Sequence, residues 1–115
     1  MNEKIIPLEL EYLNALLRQI DEHLLASQMP TVLRMRTKTL VEELFSALML
    51  TQGAQTGRMR VTYPAPEQVR LQYRNERGPL EPDLSMLQRL LQGILGYGVK
   101  AKLESGSCTF LVGAR

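Results

Sequence analysis

The chain has no tryptophan, two phenylalanines and four tyrosines, so aromatics make up only 5% of its 115 residues. Its core must therefore rest on Leu, Ile, Val and Met rather than on rings. The single cysteine, Cys108, excludes an internal disulfide and suits a reducing compartment. The single histidine, His23, has no second nitrogen or thiol at metal-ligand spacing and reads as a surface or half-buried side chain. A dominant charge is missing too. The formal net charge is +2, too small to name a nucleic-acid partner by itself. No window approaches the roughly 20 apolar residues of a membrane span. Met1–Pro7 carries neither the apolar run nor the cleavage site of a secretory leader. Walker loops, nucleophile elbows and paired carboxylates at catalytic spacing are absent as well. The expectation is one cytoplasmic domain over residues 1–115, of ordinary composition at 44% hydrophobic and 23% charged.

What is present changes period halfway along. Residues 3–7 read as a short edge strand closed by Pro7. From Leu8 to about Ala26, apolar residues recur at Leu10, Leu13, Leu16, Leu17, Ile20 and Leu24, the spacing of one helix face. Pro30 suits the first turn of a second helix, which runs to about Thr51 with Leu33, Leu40, Val41, Leu44 and Leu48 inward. Residues 58–63 and 68–74 then alternate apolar and polar, as half-buried strands do, and Pro64–Glu67 is short enough for an antiparallel hairpin. A third helix is expected after Asp83 as its cap, striped by Leu84, Leu87, Leu90, Leu91 and Ile94 and stopped near Gly96. Strands at Val99–Leu103 and Cys108–Val112, joined by the turn Glu104–Ser107, close the chain.

The order is (β)ααββαββ. Three amphipathic helices need a surface to cover, and the apolar face of the sheet, from Met59 and Val61 to Ala101 and Phe110, is the only candidate. The predicted fold is α+β: a two-layer α/β sandwich with a mostly antiparallel sheet, helices on one face and solvent on the other.

The same alternation places Arg58, Arg60, Arg70, Arg74, Lys100 and Lys102 on the solvent face, opposed chiefly by Glu104. Such a surface can hold the phosphates of RNA or DNA, or an acidic protein partner. Sheet-based RNA readers also present aromatics for base stacking, whereas Tyr63, Tyr73 and Phe110 fall on the buried parity. Long cations also simply keep an exposed sheet soluble and discourage edge pairing. Cys108, on the inward side, reads as a small core hydrophobe. Arg34, Arg36 and Lys38 stand near the start of the second helix, where cations oppose the helix dipole. They are either part of a docking surface or a solvated flank.

Three stretches carry a family likeness. In Thr39–Leu48, TLVEELFSAL, Glu42 stands four residues before Ser46, so both share one helix face. After the strand ending near Tyr73 comes Asn75–Pro79, NERGP, and the closing hairpin reads GSCTF over Gly106–Phe110. With the order of elements, these resemble the histidine-kinase-like ATPase fold and, within it, the small bacterial anti-sigma-factor serine kinases. The likeness covers nearly the whole chain.

In active members a glutamate acts as general base or polarises water, and an asparagine four residues on chelates magnesium. The resemblance gives Glu42 the first role and Ser46 the second, although a hydroxyl is a shorter, weaker ligand than an amide carbonyl. It puts Glu76, or Asn75 if the strand end is the anchor, where an aspartate accepts from the adenine amino group. Gly78 takes the place of the glycine that lets the ring approach, and Thr109 belongs to the matching hairpin. The same letters also read as the polar edge of an ordinary helix and as a plain turn. Active members carry a glycine-rich lid whose backbone N–H groups cradle the phosphates; here no glycine stands between Pro82 and Leu91.

Phosphoryl transfer rests on positioning and charge neutralisation, so losing both the amide ligand and the lid should remove most of it. The resemblance thus implies a regulatory protein-interaction module without efficient ATP turnover and needing no cofactor. Its partner would be a sigma factor or an antagonist-like regulator, and members of the family often pair as homodimers. Two alternatives stay open. One is an active kinase-type domain that binds ATP and Mg2+ through Glu42, Ser46 and Glu76 or Asn75. The other is a nucleic-acid-binding module that uses the basic sheet face.

Overall fold

The computed structural model describes residues 1–53, 55–76, 89, 93, 98–104 and 107–114. Among them the elements are β1 (Lys4–Pro7), α1 (Leu10–Ala26), α2 (Thr31–Gln52), β2 (Thr56–Thr62), β3 (Gln68–Asn75), β4 (Val99–Leu103) and β5 (Cys108–Gly113). The predicted third helix apart from Arg89, which is helical, and Gly93, together with the lid segment, Gly78 and the Ser105–Gly106 part of the last turn, lies outside the described residues. At every described position the order agrees with the sequence reading, and the fold is α+β.

The strands form one sheet in the order β1-β2-β3-β5-β4, and every neighbouring pair is antiparallel. Alternation decides which side chains meet. Met59 pairs with Tyr73, Val61 with Leu71, and Leu71 in turn with Phe110, so each row on the inner face is apolar. Against that face lies α2, which packs on β3 and β5 and against α1. Leu33, Leu40, Val41, Leu44 and Leu48 of α2 are fully buried, with Leu16, Ile20 and Leu24 of α1 beside them. Each such Leu contributes about 1.5–3 kcal/mol by leaving water.

Helix α2 ends because Gly53 adopts φ +73, a left-handed conformation that only glycine enters without cost, while its N–H still bonds the Met49 carbonyl at 3.1 Å. Pro30 is the residue just before α2 rather than in its first turn, and its carbonyl accepts from Leu33 and Arg34.

Three expected core positions are corrected. Leu10 is 66% exposed, because α1 begins there with its first turn facing solvent. Leu8, in the extended segment before it, is buried instead and is tied by its N–H to the Gln55 carbonyl at 2.8 Å. On β4, Ala101 is exposed and Leu103 only half-buried, because β4 is the outermost strand. Among the described residues no helix is long and apolar enough to cross a membrane.

Candidate functional site

The four-residue step from Glu42 to Ser46 fixes that they share a helix face, but packing decides which face. Val41, Leu44, Phe45 and Leu48 turn to the core, so Glu42 and Ser46 both come out exposed on the far side of α2. Glu42 lines a shallow groove of about 450 Å³ between the helices, beside Leu17, Arg18, Asp21 and Lys38. The next residue, Glu43, faces a different groove of about 520 Å³ between α2 and β4, whose described lining also includes Val32, Met35, Arg36, Thr39, Gly93 and Val99. Glu43 was not singled out from the sequence. The spacing of the buried leucines is the signal that could have found it.

Asn75 also turns inward, at the other end of α2. It is buried, its Oδ1 accepts from the Tyr73 hydroxyl at 3.0 Å, and its Nδ2 donates to Gln52 Oε1 at 3.0 Å. Burial, and next to it the Cys108 thiol paired across the strand, raise the Tyr73 hydroxyl well above its ordinary range, so it stays a neutral donor. The hydroxyl end of the Tyr73 ring lies over Gly57 on β2, where an added Cβ would overlap it. This cluster ties the end of α2 to the middle of the sheet and occupies Asn75, one of the two groups that the resemblance offers to adenine.

Glu76 is exposed and accepts from Thr56 Oγ1 and from Arg58, both at 3.2 Å. Thr109 lies on the outer sheet face, between Gln72 and Lys102 in register, with the buried Cys108 and Phe110 on either side of it in the chain. Ser46, Asn75 and Thr109 are therefore set respectively outside α2, within the core and beyond the sheet. Among the described residues these three side chains do not share one face of the fold. Among the described residues no cluster of three or more His, Cys, Asp or Glu is placed to hold a metal ion. His23 is exposed, and burial pushes the Cys108 thiol up to about 12, so it packs as an inert hydrophobe.

The basic sheet face is real but less one-sided than expected. Glu104, which ion-pairs with Lys102 at 3.2 Å, is not its main acid. Glu3, just before β1, reaches Arg74 at 3.0 Å and Arg58 at 3.7 Å, while Glu76 takes Arg58 from the other side. The Arg74 hydrogen bond chiefly holds the Glu3 carboxyl below its ordinary range. Arg60, Arg70 and Lys100 are exposed and make no ion pair among the described residues. The cations near the start of α2 have structural partners. Arg34 grips Asp21 of α1 with two hydrogen bonds of 3.0 and 3.1 Å, and Lys38 joins at 3.4 Å. Arg36 donates to the Gly113 carbonyl at 2.7 Å, fastening α2 to the end of β5.

No family profile matches the chain, and no curated protein is significantly similar to it in sequence.

Proposed function

We propose that the chain is a regulatory protein-interaction module, built on the layer order of an anti-sigma-factor kinase and without efficient ATP turnover. The order of elements and the one-sided helix layer support the scaffold part of this reading. The observation that carries the functional part is that the Glu42–Ser46 pair, Asn75 and Thr109 lie on three different surfaces. Electrostatic catalysis at a phosphate needs donors and metal aimed at one point, and these groups are not so aimed. The groove beside Val32 and Met35, two exposed apolar side chains edged by Arg36 and Glu43, is where a protein segment would dock.

The test is complex formation, by size exclusion, with the sigma factors and antagonist-like regulators of the same genome. A complex lost on Met35→Glu, in a chain with no ATP hydrolysis above background, is expected. Steady hydrolysis, or complexes indifferent to Met35→Glu, would overturn the reading. The second reading, a nucleotide-binding domain, is favoured by one observation: Glu43 faces a groove of about 520 Å³. In that case Glu43→Ala, not Glu42→Ala, would abolish ATP binding.

A further inference from the structure

The outer face of the sheet sorts its cations into two groups. Arg58 and Arg74 are committed to Glu3 and Glu76 within the chain. The Lys102–Glu104 pair is solvated, with side chains 78% and 56% exposed, and holds Lys102 only weakly. Arg60, Arg70 and Lys100 make no ion pair among the described residues, although Glu3 lies within electrostatic reach of Arg60, and the three are neighbours. Arg70 and Lys100 flank Leu111 in one register row, two strands and hence about 10 Å apart. Arg60 lies diagonally across from Arg70, since Arg60 pairs with Gln72 and Arg70 with Thr62, a separation of about 7–8 Å. Between them Gln72, Thr109 and Leu111 make a flat floor of one amide, one hydroxyl and one half-buried aliphatic group.

We propose that the outer sheet face, through Arg60, Arg70 and Lys100, binds an extended acidic segment of a partner protein. An extended chain returns a side chain to the same side every two residues, about 7 Å apart, which matches the Arg60–Arg70 diagonal. Side-chain chemistry decides against nucleic acid as the occupant. Every described aromatic of the sheet faces inward or lies past its end, so among the described residues no ring is offered for base stacking. Glu3, Glu76 and Glu104 stand among the cations and would repel a continuous phosphate backbone. A protein partner tolerates such a mixed pattern, because alternating signs set its register and reject wrong partners. This surface is separate from the groove beside α2 and does not depend on the reading proposed for it.

The test is fluorescence anisotropy with the full chain and a short labelled peptide alternating Glu and Ser, against oligothymidylate of equal charge and phosphatidylserine vesicles. Binding of the peptide at low salt is expected, weakening as added salt shortens the screening length. The triple substitution Arg60→Gln, Arg70→Gln, Lys100→Gln should weaken it about tenfold, from three rim contacts of ordinary strength. Arg18→Gln on α1 should leave it unchanged. The proposal is overturned by an absence of peptide binding at low salt, by an equal loss in Arg18→Gln, or by tighter binding of the oligonucleotide or vesicles than of the peptide. Circular dichroism of each variant confirms that the fold is retained.

Discussion

Gly57 and Tyr73 offer the sharpest test of how the sheet and α2 are joined. Replacing Gly57 with Ala puts a methyl group where the Tyr73 ring now lies. Tyr73 is fully buried, so the ring has no solvent to move into, and displacing it also breaks its hydrogen bond to Asn75. Overpacking of this kind costs about 1–3 kcal/mol, and the hydrogen bond adds about 1 kcal/mol. The expected loss for Gly57→Ala is therefore about 2–4 kcal/mol, a large share of the roughly 5–15 kcal/mol that holds a domain of this size. In urea melts this is a midpoint shift of about 1–2 M. Tyr73→Leu destabilises too, by leaving a cavity and removing the donor. In the double variant, however, the new methyl group meets a smaller side chain. The two losses should then fall short of additivity by at least about 1.5 kcal/mol. Additivity within about 0.5 kcal/mol, the value for independent sites, would refute the contact.

Two further outcomes follow from the same structure. Thr37 is fully buried in α2 and its hydroxyl has no hydrogen-bond partner among the described residues, so Thr37→Val should stabilise by about 1 kcal/mol, read as a rise in Tm of about 3–6 °C; a fall in Tm would show that the hydroxyl is satisfied. Asp21 is held below its ordinary range chiefly by its hydrogen bond to Arg34. A depressed carboxyl adds stability above its unfolded pKa of about 4 and loses it as the pH falls through the lower folded value. Asp21→Asn should therefore flatten the decline in urea midpoint on acidification below about pH 4, and an unchanged acid limb would contradict the Asp21–Arg34 link.

Most of the sheet was legible because period-2 alternation is a local signal. It located β2, β3, β4 and β5 to within two residues at either end and sorted Arg58, Arg60, Arg70 and Arg74 from Met59, Val61, Leu71 and Tyr73. What it could not show is who sits across the sheet. Glu3 meets Arg58 and Arg74 only because β1 pairs with β2 at the far end of a helical hairpin, a contact that no spacing rule encodes. The pairing of Asp21 with Arg34 and Lys38 is of the same kind, and it accounts for cations at a helix start where the dipole alone disfavours them.

The candidate site was less legible. Glu42 and Ser46 share one face, as their spacing requires, and the leucines of α2 turn that face outward, the polar edge that the sequence also allowed. Asn75 turned inward because β3 continues one residue further than its alternation in the sequence was followed.

The direct measurement of the central claim, that the would-be nucleotide groups do not converge, is a calorimetric titration of the chain with ATP and magnesium. The account predicts no saturable heat at concentrations up to about 1 mM, a binding free energy weaker than about −4 kcal/mol. A micromolar dissociation constant that requires magnesium and disappears in Glu42→Ala would contradict it.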